Sequence, residues 1–376
     1  MRIAFDHQAF CRQIAGGISR YYCRLAEALS LQGQQVGIFA PIYRNIYLND
    51  LPAHLVHGLS VKNYPPKSAG MCVAANGLAA RAMIRRWNPD VVHETYFQQQ
   101  SAYSDKLPRV LTVFDMIGEL DAQQLKNQPI DFKNTDKYKA VARADHVICI
   151  SEHTRQDLVR LFDIQKNKLS VIHLGCDVPP QEPLIRSTFK LNPNPSRPFL
   201  LYVGLRASYK NFARMIKAIA ASAKLMKDFD LIAFGGGDFT LTETQLFASL
   251  GFDPQQVRQK SGTDQDLNSL YREAAAFIYP STYEGFGLPP LEAMAMQCPV
   301  VSSNASSMPE VIGDAAEFFN PNDIDSIKAA IEQVVFSEER KQDLIRKGNQ
   351  RVTQFTWSMC ADKTLSVYQA LVNTNK

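Results

Sequence analysis

Glu284 and Glu292 stand eight positions apart in Y-E-G-F-G-L-P-P-L-E-A-M-A (283–295), with two glycines and a proline pair between them. Proline has a fixed φ and no N–H, so it suits the first turn of a helix, and Pro289 and Pro290 mark a helix start. Gly285 and Gly287 let the backbone turn and let a ligand approach the main chain. Free amides at a helix N-terminus attract anions, whereas carboxylates accept from hydroxyls. With Glu284 before the turn and Glu292 in the first helical turn, the stretch suits a molecule carrying both phosphate and hydroxyls. The plainer alternative is a strand–helix loop with a glutamate on the helix dipole.

A second cluster is Y-V-G-L-R-A-S-Y-K-N-F (202–212), directly after an apolar run. Arg206 and Lys210 there give a planar fork and a point charge, the pair that would neutralise a diphosphate leaving group. A solvated basic loop is the alternative. A third cluster is A-G-G-I-S-R-Y (15–21), whose Gly16 and Gly17 fall between a first strand and a first helix, where doubly wound domains approach phosphate or sugar. No stretch reads G-x-G-x-x-G; G-F-G-L-P-P and G-G-G-D-F-T both fail, which argues against a dinucleotide-dependent dehydrogenase. Asp323 reads as a helix N-cap and not a metal ligand, Ser151 likewise as an N-cap, and His54 and His57 as solvated loop histidines.

These groups need a scaffold, and its elements are legible. Strands are expected at 2–5, 35–40, 90–93, 110–114, 146–150 and 169–173, with helices such as 18–29 and 153–162 between them. Six prolines in 178–198 break that alternation and read as a linker. It then restarts with strands at 199–204, 230–235, 276–280 and 299–303, and helices over 211–226, near 264–275, from 289, and at 323–336, 338–350 and 356–372. Apolar strands separated by helices imply parallel sheets covered on both faces. The expected architecture is α/β: two doubly wound Rossmann-like domains facing a cleft, 1–177 and 199–355, with a last helix in 356–376.

Composition fits that picture. The 376 residues are 45% apolar and 21% charged, ordinary for a globular protein, and a net charge of +4 does not demand nucleic acid. Seven scattered cysteines without a C-x-x-C pair suggest free thiols in a reducing compartment. With no signal-peptide pattern at the N-terminus and no long apolar run, a cytoplasmic protein is expected.

Taken together, these residues resemble the family-4 retaining glycosyltransferases of GT-B fold. The resemblance rests on Glu284-x7-Glu292, the R-x-x-x-K-N loop, the G-G-I-S-R-Y loop, S-S-M-P-E-V-I-G-D-A-A (306–316) and the closing F-T-W…T-L-S-V-Y (355–368). Within the family the chain is most similar to bacterial mannosyl- and rhamnosyltransferases of O-antigen and related polysaccharides. The resemblance implies that Arg206 and Lys210 hold the diphosphate of a nucleotide sugar, GDP-linked first of all. It implies that Glu284 faces the donor sugar, with the amides of Gly285, Phe286, Gly287 and Leu288 on sugar and phosphate. Glu292 would accept from the ribose, Lys260, Ser261 and Gly262 would border the base, and Gly16 and Gly17 would line the cleft opposite the diphosphate. The last helix would cross back to the first domain.

Relatives usually carry V-H-D where this chain has V-F-D (113–115), so Phe114 replaces a histidine, and Asp115 or His93 is left to supply the polar contact. The implied chemistry needs neither a metal nor a bound cofactor: the departing phosphate takes the acceptor's proton while the two cations hold the developing charge. The acceptor would be a glycan or a polyprenyl-diphosphate-linked glycan. Residues 78–87, L-A-A-R-A-M-I-R-R-W, would let Arg81, Arg85 and Arg86 meet anionic headgroups of the inner membrane, with Met83, Ile84 and Trp87 at the lipid boundary, or else pack as an ordinary core helix. Two other classes fit the same fold: a nucleotide-sugar epimerase, and a non-catalytic nucleotide-sugar-binding subunit.

Overall fold

The structure, a computed structural model, describes residues 1–64, 69–98, 107–126, 130–178, 197–206 and 208–374. Most of the proline-rich linker expected at 178–198 lies outside these residues. Two compact units are present. The first is Met1–Gly175 together with Trp357–Lys376, and the second is Cys176–Thr356. The C-terminal helix Trp357–Thr374 therefore returns to the first unit, where it packs on the helix Gly17–Leu31.

The first unit holds seven strands: β1 (Arg2–Phe5), β2 (Gln35–Tyr43), β3 (Val56–Ser60), β4 (Val91–Glu94), β5 (Arg109–Val113), β6 (His146–Cys149) and β7 (Leu169–Val171). Their order is β3-β2-β1-β4-β5-β6-β7, every pair parallel. The second unit holds β8 (Phe199–Val203), β9 (Asp230–Phe234), β10 (Val257–Lys260), β11 (Ala276–Tyr279), β12 (Val300–Ser303) and β13 (Ala316–Phe319) in the order β10-β9-β8-β11-β12-β13, again parallel. Parallel strands need covered crossovers, so the inner ones are apolar on both faces; β5 and β11 are buried at every residue.

Local chemistry fixes several boundaries. Phe212, Met215, Ile216 and Ile219 bury one stripe of the helix Phe212–Ala220 against the second sheet. That helix does not run on to 226. Ser222 caps a separate helix, Ala223–Asp228, by accepting from the Leu225 amide. Ser151 and Asp323 cap helices as expected, through Thr154 and through Asp325 and Ser326. His57 departs from the loop reading: it lies in β3, stacks on Phe39 at 4.6 Å, and burial lowers its pKa. All seven cysteines are free thiols.

The basic helix packs as the ordinary core helix that was its plainer reading. The helix Ala69–Trp87 leaves Arg81, Arg85 and Arg86 exposed, but Ile84 is fully buried in a cluster with Ala4, Phe39 and Val92, against which Met83 and Trp87 pack. The apolar edge assigned to a lipid boundary belongs to the core. Among the described residues no helix is long and apolar enough to cross a membrane.

Candidate functional site

Strand β8 is the switch point of its sheet. Its neighbours β9 and β11 lie on opposite sides, the topology at which open α/β sheets present a crevice beyond their carboxyl ends. Gly204 ends β8 at φ +131, and the loop behind it reaches both ways. Towards β11, Lys210 Nζ lies 2.7 Å from Glu284 Oε1, with side-chain exposures of 16% and 11%. Towards β9, Arg206 Nε donates to Glu243 Oε1 at 2.6 Å, Nη1 to the Gly235 carbonyl at 3.1 Å, and Nη2 to the carbonyls of Gly237 and Asp238 at 3.0 and 2.8 Å. Every nitrogen of the Arg206 fork is thus engaged by the unit's own acceptors. Arg206 was expected to offer that fork to a ligand; in this structure the fork holds the G-G-G-D turn.

The turn itself requires glycine. Gly235, Gly236 and Gly237 all have φ between +72° and +85°, and a Cβ on Gly236 would lie 2.7 Å from Arg206 Nη1 and 3.0 Å from the Gly204 carbonyl. Glu243 completes the brace from the first turn of the helix Leu241–Ser249, where it forms a capping box with Thr240. Burial alone would raise its pKa, but the Thr240 backbone and hydroxyl and the Arg206 guanidinium together hold it below the usual carboxylate range. Glu243 was missed from sequence; the T-x-x-E spacing at 240–243 was its only signal.

Glu284 is held on its backbone as well as its side chain. Its N–H donates to Ser306 Oγ at 2.8 Å, and its carbonyl accepts from Ser307 Oγ at 2.8 Å; Ser307 also donates to the Phe286 carbonyl at 3.0 Å. Ser306 has φ +52, a strained angle for a side-chain-bearing residue. Beneath the pair, burial and then the nearby Glu284 push the phenols of Tyr279 and Tyr202 upward, so both stay neutral; Tyr202 donates to the Leu205 carbonyl at 2.6 Å. Asn211 Nδ2 donates to the carbonyls of Pro280 and Pro321, which ties the β8 loop to the segments after β11 and β13.

The opening stretch folds largely as its residues dictate. Gly287 caps the helix Leu288–Ala295 at φ +105, and a Cβ there would meet Met308 Cε at 2.7 Å. The helix begins one residue before the proline pair, so Glu292 falls beyond the first turn instead of within it. Phe286 is buried edge-on against Phe355, which leaves its backbone, not its ring, as the group near the turn. Lys260 ends β10, and Ser261 and Gly262 follow it, exposed. Two inter-strand spacings, roughly 10 Å, separate that edge from β8.

The remaining expected residues sit in the first unit. Gly16 caps the helix Gly17–Leu31, and the Ser19 amide in its first turn donates to Gln13 Oε1. Asp115 follows β5; its Oδ1 accepts from the Ile117 amide and its carbonyl from Lys137. Phe114 packs edge-on against Tyr21 and Tyr22 at 5.3 and 6.0 Å. His93 cannot replace the histidine absent there. Its Nδ1 is 2.6 Å from Tyr368 Oη and its Nε2 2.9 Å from Thr112 Oγ1, and burial drops its pKa to about 3. Among the described residues no group of three or more histidine, cysteine or acidic side chains could hold a metal ion.

Residues 15–179 match the family described as Glycosyltransferase Family 4, and residues 185–351 that described as Glycosyl transferases group 1. The chain belongs to the family-4 glycosyltransferases. An O-antigen chain mannosyltransferase B of Escherichia coli is 28% identical over 284 residues, 71% of each chain. The serotype-specific mannosyltransferase WbdA of the same organism is 26% identical over 309 residues, 77% of this chain and 38% of that one, so this chain spans well under half of that relative. Among solved structures, a sucrose-phosphate synthase of Thermosynechococcus elongatus superposes with a TM-score of 0.77 at 18% identity, covering 99% of both chains. The fold is GT-B.

Proposed function

We propose that this glycosyltransferase moves a mannosyl unit, with retention, from a nucleoside-diphosphate sugar to a glycan or lipid-linked glycan in surface-polysaccharide assembly. GDP-mannose is the donor that this reading names first, with rhamnose as the other sugar. The reading rests most on Lys210 and Glu284 at the β8 switch point: a cation for the leaving diphosphate and a carboxylate for sugar hydroxyls, 2.7 Å apart beside the amides that lead into the helix at Leu288. The mannosyltransferase relatives support the sugar.

In this mechanism the anomeric C–O bond to the diphosphate breaks as the acceptor oxygen bonds the same face. The departing phosphate oxygen takes the acceptor's proton, and Lys210 holds the charge that develops. Arg206, braced by Glu243, fixes the glycine turn beside that centre, and Glu292 and the 260–262 edge serve the nucleoside. With a lysine supplying the positive charge, turnover continues in EDTA. The exposed Arg81, Arg85 and Arg86 give the first unit a salt-sensitive attraction to anionic vesicles, checked by flotation at low and high salt.

The deciding experiment incubates the protein with GDP-mannose, UDP-glucose or a dTDP-linked rhamnose and a mannoside acceptor. The product's anomeric configuration is read by NMR. Transfer from GDP-mannose to an α-mannoside product supports the reading; an inverted product, or exclusive use of UDP-glucose, overturns it.

A further inference from the structure

Among the described residues, five that are not glycine have a positive φ: Asn88, Asp163, Asn211, Gln297 and Ser306. Asn88, Asp163 and Gln297 sit just past the ends of the helices Ala69–Trp87, Glu152–Phe162 and Leu288–Ala295, where a left-handed residue commonly stops a helix. Asn211 and Ser306 stop nothing. They precede helices, in the loops after β8 and β12, and both attend the same ion pair: Asn211 follows Lys210, and Ser306 bonds Glu284. Asparagine is at ease in the left-handed region because its short amide bonds locally, as Asn211 does to the carbonyls of Pro280 and Pro321. Serine is a poorer occupant, and glycine would sit there without strain.

What serine adds over glycine is its hydroxyl. Ser306 Oγ accepts from the Glu284 amide at 2.8 Å, and among the described residues that amide has no other acceptor. Ser307 stands at the N-cap of the helix Met308–Ile312 yet makes no capping bond; its hydroxyl goes to the carbonyls of Glu284 and Phe286 instead. Two neighbouring serines thus clamp the main chain on both sides of Glu284. They are not equivalent. Ser307 is sealed, and two carbonyls depend on it, so its loss would be felt by the fold. Ser306 is half-buried and serves a single amide. The backbone at Glu284 fixes the direction of its Cβ, so that one bond governs where the carboxylate meets Lys210 Nζ, 2.7 Å away.

We propose that Ser306 is a positioning residue for Glu284. Its left-handed backbone aims the hydroxyl at the Glu284 amide, and the bond sets the spacing of the Lys210–Glu284 pair. Its consequence for the reaction rests on the reading of that pair as the donor site. Removing the hydroxyl changes no charge, so any effect on the pair or on turnover must come through placement. Ser306→Gly should fold, because glycine takes this φ freely.

The first test needs no nucleotide sugar. Urea unfolding of the wild type, Lys210→Ala, Glu284→Ala and the double variant gives the coupling between the two side chains, and the set is repeated with Ser306→Gly and with Ser306→Ala added. Coupling of about tenfold in the unfolding constant is expected in the wild type, falling to about twofold or less in both Ser306 variants. Their urea midpoints should differ, with Ser306→Gly higher, because glycine relieves the strain that alanine keeps. Coupling intact in both variants, or absent already in the wild type, overturns the role. Loss in Ser306→Gly alone would assign the effect to a loosened backbone, and loss in Ser306→Ala alone to strain; each overturns it too. With an active donor, Ser306→Gly should lower kcat about tenfold and move KM by less than about twofold, within the roughly hundredfold that a 1 Å misplacement can cost. Added to Glu284→Ala it should lower kcat no further; a second tenfold loss there would mean that Ser306 does not act through Glu284. A protein that turns over no nucleotide sugar would sink the mannosyltransferase reading, and the coupling measurement would still decide this one.

Discussion

At the end of β8 two cations meet two carboxylates, Arg206 with Glu243 and Lys210 with Glu284, with side-chain exposures from 6% to 18%. The matching edge of β4 and β5 is built from His93, Thr112, Tyr21 and Tyr368, all essentially sealed. On the first sheet a neutral hydrogen-bonded lattice lies beside the ion pair of Glu94, the last residue of β4, with Arg143 at 2.8 Å. An ion pair loses hydration when buried, and at the end of β8 backbone carbonyls and a helix cap share that load for Arg206 and Glu243. A neutral imidazole carries no such penalty and can be closed in completely. Within the β8 loop the two pairs differ again. Arg206 holds the unit's own turn, whereas Lys210 pairs with Glu284 and lies over the rings of Tyr209 and Tyr279.

The largest expected effect comes from Lys210→Ala. Turnover with GDP-mannose should fall about a hundredfold, roughly 3 kcal/mol at the transition state, a larger loss than the accompanying fall in unfolding stability. Wild-type turnover would remove the charge from the chemistry and leave the two sheet edges functionally alike. Gly287→Ala tests the turn that carries the pair. Its φ of +105 and the 2.7 Å approach to Met308 should cost about 2–3 kcal/mol in urea unfolding, part of it recovered by adding Met308→Ala. A single variant as stable as wild type would mean that the turn bears no strain.

Arg206→Ala and Glu243→Ala separate brace from ligand contact. Each should destabilise by about 2 kcal/mol, less than a deeply buried pair because Glu243 is 18% exposed, and the double variant should lose less than the sum. Their effects on turnover should match each other. If Arg206→Ala instead abolishes turnover while Glu243→Ala is silent, the arginine touches the ligand directly.

The remaining effect belongs to the sealed edge; it is absent at neutral pH and appears only in acid. His93 binds its proton at about pH 3 in the folded protein and near 6.5 when unfolded, so between those values the unfolded chain holds more protons. Stability is therefore full above pH 6.5 and declines as pH falls towards 3, with a slope of up to about 1.4 kcal/mol per pH unit from this residue. His93→Gln should flatten that acid limb in denaturant titrations from pH 7 to 4; His7, His57 and His146, also shifted downward, keep it from vanishing. An unaltered limb would show that the lattice is open to water.

How legible each part was follows from where it sits. Inner strands such as V-L-T-V and A-F-I-Y are apolar because both faces are covered, and they could be read directly. The strands that were missed, β3, β10 and β13, are sheet edges and less fully buried than the inner strands, and V-R-Q-K carries no strand pattern at all. Glu284, Gly287 and the helix behind them were readable because proline and glycine constrain the backbone locally. The Glu292 turn was misjudged by a residue or so because the left-handed glycine starts the helix ahead of the prolines.

Local chemistry written in the chain thus determined the parallel α/β elements, the capped helices and the acids and cations of the strand ends. Only the tertiary structure decided the partners. Whether Arg206 faces a ligand or Glu243, 37 residues on, depends on β9 lying beside β8, and spacing along the chain does not encode that adjacency. Ile84 could have faced lipid or core until the sheet took it, and His93 could have been a site residue until Tyr368, 275 positions away, closed over it. A side chain's type limits what it can bind, but what it binds is set by whichever groups the fold brings within about 3 Å.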